Sequence, residues 1–122
     1  MKSFLAQMML LFFLPLSGQV ADKTVTDCNG NSRSIHGVLA TGKVLVVTSS
    51  GVDCSICMGA APAVQTFAAQ NTGTMEVWGA MTFKSSSNTN NPSCTQVNNW
   101  VNTYSWNDVF AFVDSNRHFF MS

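Results

Sequence analysis

Two closely spaced cysteines carry the clearest chemistry in this sequence. Cys54-Ser55-Ile56-Cys57 is a C-x-x-C motif lying between an aliphatic, strand-like run and a stretch with helical spacing. A cysteine at the start of a helix faces unpaired backbone N–H groups and the positive end of the helix dipole, which stabilise a thiolate. The second cysteine, one turn inside, lies close enough to close a strained, reversible disulfide with the first. The pair can therefore carry thiol–disulfide exchange. A static disulfide and half of a metal site are the competing uses of this spacing. Zinc ordinarily takes a second ligand pair or nearby histidines, and the chain has one such pair.

The other two cysteines, Cys28 and Cys94, are single and far apart. A structural disulfide between them would tie the N-terminal loop to the start of the second long helix. It would close a loop of about 65 residues and add several kcal/mol to a small core. The alternatives are a role as a second resolving thiol, pairing with cysteines elsewhere, or plain thiols. His36 and His118 read as surface or partly packed residues. Met58, Met75, Met81 and Met121 form no M-x-x-M cluster of the kind that would hold copper, so core filling accounts for them. Trp78, Trp100 and Trp106 read as core and rim aromatics.

The elements around the motif follow from pattern. Residues 43–49 (KVLVVTS) form a continuous β-branched run, as in a central strand covered on both faces. Residues 50–53 make a loop. Ile56, Ala60, Val64, Phe67 and Ala68 recur at helical spacing until Asn71-Thr72-Gly73 stops them. Residues 74–83 are the next strand, and strand–helix–strand with short joins is a right-handed unit with parallel strands. Upstream, residues 24–27 form a short edge strand, and Ser34 caps a brief helix ended by Gly42. Downstream, the polar stretch 85–93 precedes a helix capped by Thr95 that carries Val97, Trp100, Val101 and Tyr104. Residues 108–114 are strand-like, residues 115–117 turn, and residues 118–121 read as a returning strand. The class is α/β.

Composition narrows the function. Of 122 residues, 46% are hydrophobic and 10% are charged, and the scattered Lys and Arg form no basic patch for nucleic acid. Lys2, the apolar run 4–16 and the small residues Ser17 and Gly18 make a secretory signal with cleavage after Gly18. The run is too short for a membrane span, which needs about 20 residues, so no stable span is expected after cleavage. Removing residues 1–18 takes away Lys2, leaving five of the six basic residues against six acidic ones. All four cysteines reach an oxidising compartment, periplasmic or extracellular, where disulfides persist.

With the GKVLVV strand, the CSIC motif, the opening DCNGN and Pro62 five residues after Cys57, the sequence resembles the thioredoxin-fold redoxins. The likeness is to exported thiol–disulfide oxidoreductases of the TlpA/ResA type, and it runs from about residue 26 to residue 120. The resemblance implies a central mixed sheet with flanking helices in one domain, residues 19–122. It assigns attack to Cys54 and resolution to Cys57, with Pro62 as the proline that kinks the active-site helix. It implies protein dithiol or disulfide clients, an upstream redox partner, no bound cofactor or metal, and a monomer.

Several positions depart from that pattern. Asp53 stands where an aromatic residue usually precedes the first cysteine, and a neighbouring carboxylate disfavours thiolate. Thr48 replaces a buried acid six positions before Cys54, where it can hold a water but cannot accept the proton. No proline precedes the strand at Val109: either Asn107-Asp108 takes the place of the family's cis-proline or the cis-proline strand lies beyond Ser122, and the second is the expectation, with the domain incomplete at its C-terminus. Gly51 and Val47 occupy the places of the Thr or Ser and the Pro of peroxiredoxins, which argues against peroxide reduction. There is no nucleophile elbow for hydrolysis and no Gly-rich phosphate loop. The rival to exchange chemistry is a non-catalytic secreted interaction module in which CSIC is a fixed bridge.

Overall fold

The computed structural model describes residues 20–83 and 90–119. The expected signal segment, most of the polar stretch after Phe83 and the last three residues lie outside the described residues. Strands β1 (Thr24–Thr26) and β2 (Ser32–Ser34) pair antiparallel, with Val25 opposite Arg33. Their turn is organised by Asp27, whose carboxylate accepts the backbone N–H groups of Asn29 at 2.9 Å and Asn31 at 2.8 Å. Gly30 takes the positive φ of 87° that the turn requires. Although burial pushes the Asp27 carboxyl up, hydrogen bonds from Asn31 and Asn29 and the charge of Arg33 hold it below its usual 3.8. A depressed carboxyl stabilises the fold above its unfolded value, so the turn's contribution is lost as pH falls through the lower folded value.

Ser34 ends β2 and caps α1 (Ile35–Ala40), its hydroxyl accepting the Gly37 N–H at 3.0 Å. Then follow β3 (Val44–Gly51), α2 (Ser55–Gln70), β4 (Met75–Thr82), α3 (Cys94–Thr103), β5 (Val109–Val113) and a 3-10 turn at Ser115–Arg117. The sheet order is β3-β4-β5, all parallel, with Val44 beside Met75 and Val77 beside Val109.

Each sheet face has its own core. Under α2 and α3 lie Ala61, Ala68, Val77, Met81, Val97, Trp100, Trp106, Val109 and Ala111. On the other face α1 and β1 cover Val25, Val38, Trp78, Ala80, Phe110 and Phe112. Trp78 meets Phe112 edge-on at 5.9 Å, the geometry the ring quadrupoles prefer.

Four expectations need correction. The strand at residues 43–49 was read as buried on both faces, but among the described strands β3 pairs with β4 alone, and Val44 and Val47 are 55% and 37% exposed. Its β-branched run reflects strand propensity rather than a central place; β4, buried from Val77 through Thr82, is the central strand. The expected loop at residue 50 begins later, because β3 continues in register to Gly51, opposite Thr82. The second long helix is capped by Ser93, not Thr95. Ser93 accepts the Gln96 N–H and the Gln96 side chain accepts the Ser93 N–H, which is a capping box. Finally, no returning strand forms over the described part of residues 118–121. Phe119 instead turns back onto Trp78 and Phe112, at 6.4 and 5.4 Å, and its N–H is held by Asp114.

The contact of β4 with the Trp106 ring leaves no spare room. A Cβ on Gly79 would lie 2.6 Å from the ring of Trp106. That ring cannot retreat freely, since its Nε1 donates to the Ala61 carbonyl at 3.0 Å. Gly79→Ala is therefore expected to cost about 1–3 kcal/mol, read as a lower urea midpoint; an unchanged midpoint would mean the ring is not fixed there.

Candidate active site

The parallel strands deliver the loop that carries the cysteines. At the end of β3, the Val52 N–H donates to the Thr82 carbonyl at 2.9 Å, which fixes the turn to the end of β4. The Cys54 N–H donates to the Gly51 carbonyl at 3.1 Å, and the Cys54 carbonyl accepts the Met58 N–H at 2.9 Å. Cys54 is thus the N-cap of α2, with φ −101° and ψ 111°. Its Sγ accepts the Cys57 N–H at 3.3 Å, taking the place that a serine or aspartate oxygen fills at most caps. The sulfur sits where the helix dipole favours negative charge.

Cys54 and Cys57 stand as thiols. Burial pushes the Cys57 thiol above its usual 9.0, and its hydrogen bond to Cys54 and the charge of the neighbouring sulfur push it further. Exposure runs the other way: Cys54 is 8% exposed and Cys57 is half-buried. Beside them Asp53 and Ser55 are exposed and Ile56 is 79% exposed.

The remaining sequence-named residues fall at different distances from the chemistry. Thr48 is half-buried on β3, opposite Gly79. Pro62 lies inside α2, where it has no N–H to offer the Met58 carbonyl. The Trp106 indole reaches the carbonyl just before it, and Gln65 exchanges hydrogen bonds with Asp108. Trp106 is therefore a buried brace for α2. Cys28 and Cys94 are joined in a disulfide, with Cα atoms 5.4 Å apart and a separation of 66 residues. It ties the β1–β2 turn to the first residue of α3. Among the described residues no group of three or more His, Cys, Asp or Glu could hold a metal.

Sequence reasoning missed the groove next to the cysteines. Its volume is about 270 Å³, with Val52, Asp53 and Met58 on one side and Gln96, Asn99 and Thr103 of α3 on the other. The polar residues Gln96, Asn99 and Thr103, at three- and four-residue spacing on α3, are the signal that could have found it. A larger cavity of about 410 Å³ lies towards the opposite ends of the strands, near Lys43, Met75 and Val109. Its lining does not include the C-x-x-C.

No family model matches the chain, and no curated protein matches it. Solved structures do. A secreted disulfide oxidoreductase of Mycobacterium tuberculosis, homologous to DsbE of Escherichia coli, superposes with a TM-score of 0.58 at 21% identity over 77% of this chain. The thioredoxin domain of a thiol–disulfide oxidoreductase from Bacteroides vulgatus gives 0.54 at 17% identity over 83%. A solution structure from that organism, assigned to the thiol–disulfide oxidoreductases, gives 0.58 at 19% identity over 85%. The fold is thioredoxin-like. The chain spans 61%, 66% and 64% of the lengths of those three proteins. In this thioredoxin-like fold the C-x-x-C sits at the junction of β3 and α2, where the sheet's strand ends meet a helix N-terminus. No helix among the described residues is long and apolar enough to cross a membrane.

Proposed function

We propose that the protein exchanges thiols and disulfides with protein clients outside the cytoplasm, Cys54 attacking and Cys57 resolving. The observation that carries this reading is the cap: the Cys54 sulfur accepts the Cys57 N–H at a helix N-terminus. The Cys54 thiolate attacks one sulfur of a client disulfide, forming a Cys54–client disulfide and releasing the other client sulfur as a thiolate, which takes up a proton. The Cys57 thiolate then attacks the Cys54 sulfur and releases the second client thiolate. One client disulfide is reduced by two electrons and the Cys54–Cys57 disulfide is formed; run backwards, the same steps oxidise a client dithiol. An upstream dithiol or disulfide protein resets the pair, and the exchange itself needs no bound cofactor. Export rests on the leader-like residues 1–18, and a structural neighbour described as secreted agrees with it.

A fixed-bridge interaction module is the second reading, favoured by the burial of Cys54. The test is acceleration of insulin reduction by dithiothreitol, and of reoxidation of reduced ribonuclease by glutathione disulfide. Acceleration of either supports exchange; acceleration of neither overturns it. Because burial pushes the Cys57 thiol up and the thiolate is the attacking form, release from the Cys54–client disulfide should quicken steadily with pH from neutrality upward, by up to about tenfold per unit. Stopped-flow decay of that intermediate checks this, and a flat profile would remove Cys57 from the resolving role.

A further inference from the structure

We infer that Asn29 is a modification site: in the folded protein its carboxamide is lost by spontaneous attack of the Gly30 nitrogen, which converts the β1–β2 turn from asparagine to aspartate and isoaspartate. The inference is independent of the exchange reaction proposed above.

Sequence singles the residue out. Asn29 is the one asparagine in the chain that is followed by glycine. The backbone nitrogen after an asparagine reaches the side-chain carbon only when the next residue leaves room, and glycine brings no Cβ to obstruct it. The surroundings are open as well. Asn29 and Gly30 are both exposed, and a Cβ built on Gly30 would meet nothing within 4 Å.

The turn grips every other group harder than the two that react. Its carboxylate, Asp27, accepts the N–H of Asn29 at 2.9 Å and that of Asn31 at 2.8 Å. The Gly30 N–H has only the Asp27 carbonyl at 3.3 Å, longer than an ordinary N–H···O bond. Among the described residues nothing bonds the Asn29 carboxamide. Nucleophile and target are therefore the loosest polar groups of the turn, and water has access to both.

The step balances with water as the sole co-reactant. The Gly30 nitrogen gives up its proton and attacks Cγ of Asn29. The new C–N bond closes a succinimide ring, the Cγ–Nδ2 bond breaks, and ammonia leaves with the proton. One water then opens the ring. Cleavage at Cγ gives aspartate, and cleavage at the main-chain carbonyl gives isoaspartate, in which the chain runs through the side chain. Nothing is oxidised or reduced.

The isoaspartate product adds one carbon to the backbone between Asn29 and Gly30. Three hydrogen bonds span that insertion: Asn31 N–H to Asp27 Oδ1, Asp27 N–H to the Asn31 carbonyl, and Asn31 Nδ2 to Asp27 Oδ2. They close the β1–β2 pair whose register sets Thr26 beside Ser32. The change falls next to Cys28, one end of the disulfide to α3, so modification loosens the turn that this tie anchors.

The test ages the purified protein at mildly alkaline pH, weighs its asparagine-bearing peptides, and counts isoaspartate by enzymatic methylation of its free carboxyl. Asn29 is expected to convert first, faster as pH rises, since attack needs the deprotonated nitrogen. Gly30→Asn adds a Cβ while tolerating the positive φ, and is expected to slow conversion of Asn29 severalfold with the circular dichroism of the fold retained. The isoaspartate fraction is expected to unfold at a lower urea midpoint. If Asn29 stays intact in the folded protein while it converts in urea, the turn protects it and the inference fails. Another asparagine converting first, or a Gly30→Asn protein that converts Asn29 as fast as the native one, overturns it equally.

Discussion

Cys54→Ser is expected to abolish exchange, lowering the rate by on the order of 10³-fold or more, as loss of a covalent nucleophile does. Cys57→Ser is expected to fail differently. It should still attack a client once and then stop at a stable Cys54–client disulfide, visible as a mass increase that dithiothreitol removes. The asymmetry follows from the cap. The Cys54 sulfur accepts an N–H at the end of α2, whereas the Cys57 thiol is pushed up by burial and by its neighbour. If Cys54→Ser instead traps the adduct on Cys57, the roles are reversed, and the greater exposure of Cys57 governs reactivity. If both variants react as the native protein does, the motif is a bystander.

Replacing both Cys28 and Cys94 by Ser should give the largest loss of stability. Their disulfide closes a separation of 66 residues, and the chain-entropy estimate for such a loop is about 4 kcal/mol, within the 2–5 kcal/mol typical of small secreted domains. In a domain this small the midpoint of thermal unfolding should fall by on the order of 10 °C or more. The local structure at each end should persist, because Asp27 holds the β1–β2 turn and the Ser93–Gln96 capping box holds the start of α3. What is lost is the tie between them. An unchanged midpoint would mean that the disulfide carries no stability.

The heart of the site was legible because its signals are local. A β-branched run, two cysteines at a helix start and a periodic apolar stripe give β3, α2 and β4 with boundaries one or two residues from those observed. Neighbourhood was less legible. Nothing in KVLVV distinguishes a strand covered on both faces from one that pairs on one side only. The strand at Ser32–Ser34 was missed because a serine–arginine–serine segment carries no strand signal of its own; it forms because Asp27 turns the chain and Arg33 pairs with Glu76 across the packed layers. The aromatic run near Phe119 was misread because apolar residues packing on a sheet face look like a strand until their partners are known. The groove beside Cys54 was hidden for the same reason, since half of it comes from α3, some 40 residues downstream.

The most direct test of the central claim is a glutathione redox titration of the protein, with differential alkylation and mass mapping of all four cysteines. Exchange predicts that the Cys54–Cys57 disulfide opens and closes reversibly between about −120 and −270 mV, the span of known exchange proteins. It also predicts that Cys28 and Cys94 stay paired with each other throughout. A Cys54–Cys57 disulfide that resists reduction below about −300 mV, or a Cys54 found bonded to Cys28 or Cys94, would contradict it and leave a structural bridge in place of a redox centre.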